Sequence, residues 1–255
     1  GMYSILAIMS FDIELFRVAC LLGGLAHQPS FSYLRRVLAL VVGTVCIALS
    51  VLIKHCCSSN GLRWRRLSSE LLNTFGTLFF VFLICLYVLV FTPFQCYPHP
   101  TEGYSSVLAY PEILCWRAGP HTALVIAGGA VLLLVLLPGL AVCIRAVLTY
   151  PRAVMTGNDH FMRSYQFLFF RFKPDCHMAS MPMMMRSLFL VLVPTCLTSQ
   201  AAVQLMLSLW VYICHLAAVS YFQPWRMHSG NLFDMFVSGI LLMLLMCGGK
   251  GKGEG

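Results

Sequence analysis

Twelve cysteines, fourteen methionines and eight histidines in 255 residues direct attention first to metal and thiol chemistry. The densest combinations are His55-Cys56-Cys57 and Cys176-His177. Neither has a second ligand pair at zinc-finger spacing, so sequence neighbours alone do not assemble a tetrahedral site. The run Met181-Pro182-Met183-Met184-Met185 offers thioethers, which are soft ligands suited to copper. It also stands at a helix entrance, where flexible thioethers fill irregular gaps, and packing is the reading preferred. No Ser/His/Asp set, HExxH pair, phosphate-binding glycine loop or dinucleotide turn occurs. The sequence therefore predicts no enzyme, no metal and no cofactor.

Other polar residues fall inside apolar runs. Asn231 and Asp234 open the last run, after Gln223-Pro224-Trp225-Arg226. Asn at a cap and an acid three residues on satisfy free N–H groups and complement the helix dipole. The competing reading is a cation site, because an acid just inside a membrane is expensive unless used. Gln200 and Gln204 stand one helical turn apart and either line a polar path or bond to neighbouring helices. His215 lies alone in its run and reads as a packed or hydrogen-bonded side chain. Cys56 and Cys57, beside Lys54, are palmitoylation candidates or simply unmodified thiols.

The elements that carry these residues follow from composition. Hydrophobic residues make up 59% of the chain and charged residues 10%, with a mean hydropathy of +0.82. An ordinary soluble domain carries about 25% charged residues, and so few charges do not cover a surface in water. In lipid the outer surface must instead be apolar. The fold class predicted is all-α, an integral membrane bundle of about six transmembrane helices.

Spans are expected at about Val37 to Ile53, Leu71 to Phe91, Thr122 to Ile144, Met183 to Thr198, Ala201 to Phe222, and Leu232 to Cys247. Most approach the roughly 20 residues that cross a bilayer core. Pro138 should kink the third. Residues 1–32 are expected to form a short non-spanning outer segment. Asp12, Glu14 and Arg17 would each cost about 2.5–3.5 kcal/mol at the bilayer centre. Residues 33–247 form the bundle and 248–255 a flexible Gly/Lys tail. The stretch Leu148 to Pro182 mixes basic and aromatic residues and predicts an amphipathic helix lying in the interface.

The net charge of +8 comes from basic residues at the ends of apolar runs, not from a dense patch. It points to anionic lipid headgroups rather than nucleic acid. With six spans and the N-terminus outside, eleven Lys and Arg fall inside and six outside, the direction the positive-inside rule favours. The outside loop then holds Cys96 and Cys115, which an oxidising compartment would join.

Short motifs complete the reading. Phe94-Gln95-Cys96, Gly103, Tyr110-Pro111 and Cys115-Trp116 resemble the outer loop of the membrane region that ends many large protist surface proteins. Phe167-Leu168-Phe169 and Phe172-Lys173-Pro174-Asp175 resemble the basic segment before that region's fourth helix. Arg186 stands where such proteins have a basic residue entering the helix. Gln204, Pro224-Trp225, Asn231 and Asp234 resemble its last two helices. Phe11-Asp12-Ile13 and Cys20 resemble the outer segment before its first span. Such regions are TRP-like, distantly similar to transient-receptor-potential-type membrane domains. The resemblance implies an anchor for extracellular modules, with sensor or channel activity as a further possibility. Cys176-His177-Met178 departs from it, replacing aromatic residues. The leading expectation is a non-catalytic multi-pass anchor or receptor-like region, with partner modules upstream or partner membrane proteins. The alternative is a cation channel or transporter subunit.

Overall fold

The computed structural model describes residues 29–56, 64–99 and 103–248. Most of the expected outer segment, Cys57 and the tail beyond Gly248 lie outside the described residues, as does the side chain of Cys56.

Helix α1 spans Pro29–Cys56, opening with a proline, whose missing N–H costs nothing at a first helical position. It starts four residues earlier than the boundary expected at 33. The second expected span is corrected most plainly. It is two helices, α2 (Trp64–Val81) and α3 (Leu83–Phe91), bent by 60°. Phe82 at φ −92 and ψ 9 leaves the helical well for the bridge region, and no proline marks the place.

A three-residue 3-10 turn then leads into a three-stranded antiparallel sheet. Its strands are β1 (Cys96–Pro98), β2 (Ser105–Val107) and β3 (Tyr110–Leu114), in that order. The all-α class therefore holds with one small sheet added.

Helix α4 (Pro120–Val131) runs through a π-turn at Leu132–Leu136 into α5 (Leu137–Met155). Leu137 N–H reaches the Leu132 carbonyl, five residues back, just where Pro138 has no N–H to give. The expected distortion is taken up by widening, and the whole run of 36 residues counts as one apolar helix.

The interfacial helix expected between Leu148 and Pro182 does not form. Two short helices stand there instead, α6 (Asp159–Ser164) and α7 (Gln166–Phe169). Phe167, Leu168 and Phe169 are all buried, Leu168 completely. The reason is a docking site on α2. Asn73 Oδ1 accepts the Phe167 N–H at 2.8 Å, and the Ser164 hydroxyl donates to Ser69 at 3.0 Å. A Cβ at Gly76 would collide with the Phe167 ring, so glycine is what admits it. Phe167-Leu168-Phe169, which reads as part of a membrane-surface stripe, is core, while Phe170 beside it is exposed.

The last three helices form an antiparallel series, α8 (Ser180–Cys196), α9 (Ala201–Phe222) and α10 (His228–Gly248). Helix α3 packs on α8 and α1 on α4, which closes the bundle. Among the described residues, five helices are long and apolar enough to cross a membrane, or six if the bent pair is one span. Large apolar side chains stay exposed along them, among them Leu134 at 77% and Met243 at 70%. An aqueous surface rarely carries apolar area on that scale.

Candidate functional site: a charged cluster on the last two helices

Helix α9 ends at Gln223, whose left-handed φ of 42 turns the chain, and Pro224 prevents the helix from resuming. This turn is clipped by backbone bonds to the segment after α7. Lys173 N–H donates to the Pro224 carbonyl and Arg226 N–H to the Arg171 carbonyl, each at 2.9 Å. Phe172 and Trp225 pair between them, their rings 5.2 Å apart.

Trp225 is thereby aimed at the start of α10. Its indole Nε1–H donates to Asp234 Oδ2 at 3.0 Å. Asp234 Oδ1 lies 3.3 Å from His215 Nε2 and 3.8 Å from a terminal nitrogen of Arg186. One carboxylate thus joins α8, α9, α10 and the turn. Beside it, Asn231 is almost wholly buried. Its side chain accepts from Trp225 N–H at 3.0 Å and donates to Trp225 C=O at 3.1 Å, doing for the turn what a paired strand would do.

These contacts correct one expectation. Helix α10 begins at His228, so Asn231 and Asp234 lie inside it rather than capping it. Their bonds go to the preceding turn and to other helices. His215 is buried and hydrogen-bonded, the reading preferred for it, and Asp234 is its partner across the α9–α10 contact. At the opposite end of α9, the Gln204 amide donates to the Leu197 carbonyl at the C-terminus of α8. Of the two alternatives for Gln204, bonding to a neighbouring element is the one found. Gln200 stands exposed just before α9, and its carbonyl accepts the Gln204 N–H.

Asp175, Arg186 and His215 form the polar part of the wall of a mostly apolar groove of about 720 Å³ between α8 and α9, where Met183, Phe189 and Trp210 line it. The methionine run therefore serves packing, with Met183 and Met184 buried. Arg186 Nε is buried without a hydrogen-bond partner. Cys176 and His177 fall in a 3-10 segment, where the His177 ring stacks on Tyr150 at 5.2 Å.

The other expected site residues fare differently. Cys96 and Cys115 form a disulfide that ties β1 to the end of β3. His121 lies beside them, and a ligand atom from each of the three falls within 4.8 Å of the others. Sequence reasoning missed Arg186, His215 and Trp225 as partners of Asp234. The available signal was the set of polar side chains in apolar runs, each of which needs a partner.

No family model matches this chain, and neither a curated protein nor a solved structure matches it. The resemblance drawn from short motifs rests on those residues alone.

Proposed function

We propose that this chain is a non-catalytic, multi-pass membrane region that anchors a surface protein in a receptor-like manner. The observation that carries this reading is the state of Asp234. A cation path through Asp234 needs its carboxylate oxygens free, and both are already engaged by Trp225, His215 and Arg186. Such a network draws four segments together and favours a rigid role. Gln204, the other candidate for a polar path, is committed to Leu197 at the far end of α9.

In this reading the apolar helices lie in a bilayer with anionic headgroups against the basic loops. The N-terminus and the disulfide-bonded sheet face outside, where upstream modules or partner membrane proteins attach. The membrane is the plasma membrane or an endomembrane.

Reconstitution into liposomes tests it. Purified, folded chain should leave the liposomes impermeable to Na⁺, K⁺ and Ca²⁺, and Asp234→Asn should change nothing. A cation-selective flux that falls in Asp234→Asn would establish the channel reading instead.

A further inference from the structure

We propose that reduction of the Cys96–Cys115 disulfide converts the sheet end into a binding site for one thiophilic divalent cation. Zinc is the chemical class intended, with both thiolates and His121 as ligands. The three donors come from different elements: Cys96 begins β1, Cys115 follows β3, and His121 stands in the first turn of α4. Their ligand atoms already lie within 4.8 Å of one another. Zinc bonds sulfur at about 2.3 Å and imidazole nitrogen at about 2.0 Å, so ligand atoms around it lie roughly 4 Å apart. Only a small outward movement of the released sulfurs is required.

The scaffold that places the donors has joints besides the S–S bond. Cys115 N–H donates to the Ser105 carbonyl and Leu108 N–H to the Gln95 carbonyl, each at 2.8 Å. Cys96 pairs with Val107 across the β1–β2 ladder. Trp116, at φ 62, turns the chain after Cys115 and lays its ring 5.3 Å from that of His121. His121 is buried, and its Nε2 sits 3.1 Å from the Pro93 carbonyl. A backbone carbonyl on one ring nitrogen is the usual outer partner of a metal-binding histidine, because it fixes tautomer and orientation. Two thiolates and a neutral imidazole also balance a divalent charge completely, which matters where Cys115 and His121 are buried. Water takes the fourth position.

The chemistry balances with a dithiol reductant. The dithiol gives two electrons and two protons to the Cys96–Cys115 bond and closes to its own disulfide. The cation then displaces the two thiol protons as it binds. The sheet end is thus a covalent staple when oxidised and a metal site when reduced.

Cadmium titration of the full chain in detergent tests this, read by the thiolate-to-metal charge-transfer absorption in the near ultraviolet. The seven described free cysteines contribute equally before and after reduction, and a Cys96→Ser/Cys115→Ser variant carried through the same steps subtracts every remaining thiol, so the difference isolates this pair. Reduced protein should bind one more equivalent of Cd²⁺ than oxidised protein. In reduced His121→Gln that added equivalent should bind about tenfold or more weakly. Equal stoichiometry before and after reduction would overturn the proposal, as would unchanged affinity in His121→Gln. Should His121→Gln fail to fold, the oxidised and reduced wild-type arms still decide.

Discussion

At the sheet end of the bundle, segments are joined by a disulfide, backbone ladders and a tyrosine hydroxyl: Tyr33 donates to the Leu89 carbonyl at 2.8 Å and meets Tyr110 edge-on. At the charged end the joints are side chains of opposite polarity, with Asp234 at the centre and Asn231 beside it. The first kind of joint resists through the chain itself, and redox state alters it. The second depends on a matched set of partners, so removing one member strands the others. The two ends therefore differ in what can disturb them.

Breaking the disulfide should have the largest effect. Its cysteines are 19 residues apart, a loop whose closure is worth roughly 3 kcal/mol in the chain-entropy account. Cys96→Ser should lower the unfolding temperature in detergent. A dithiol should reproduce most of that loss in the wild type and none of it in the variant. Amide exchange should rise around residues 96–115 and stay unchanged around 224–234. Loss of protection at both ends would merge the two regions into one cooperative unit.

Asp234→Ala comes next, at about 2–3 kcal/mol, because it strands the Arg186 charge, the His215 ring nitrogen and the Trp225 indole. The side chains of Asp234 and Arg186 keep 13% and 24% of their exposure, so the lower end of the range applies. Pairing it with Arg186→Met should recover part of the loss in a double-mutant cycle. Strict additivity would show that the 3.8 Å ion pair contributes nothing. Asn231→Leu removes two bonds to the Trp225 backbone and leaves both groups unpaired, for about 2 kcal/mol. Trp225 fluorescence should shift in that variant, and an unchanged spectrum would mean the turn holds its place without Asn231. The smallest effect belongs to Tyr33→Phe, about 1 kcal/mol for one hydrogen bond at the sheet end.

The strongest signals in the chain were those that composition and length control. Helix α9 falls at Ala201–Phe222, the bounds expected, because an unbroken apolar run leaves the backbone no partner but itself. The Cys96–Cys115 pair was legible for a similar reason: two cysteines in one polar loop have few alternatives. The bend at Phe82 was not legible, since neither proline nor glycine marks it. Nor was the fate of Phe167-Leu168-Phe169, because aromatic residues beside arginine look alike whether they meet lipid headgroups or a groove on α2. Asn73 and Gly76, about ninety residues earlier, separate the two outcomes.

The sequence by itself determined where the long apolar helices run among the described residues, because hydropathy acts locally and each helix satisfies its own backbone. What only the tertiary structure decided is which polar side chains meet. Asp234 finds His215 and Arg186 nineteen and forty-eight positions away in the chain. No periodicity encodes such a pairing, since it depends on how three helices rotate against one another. That rotation turns the acid from an apparent helix cap into the centre of a network.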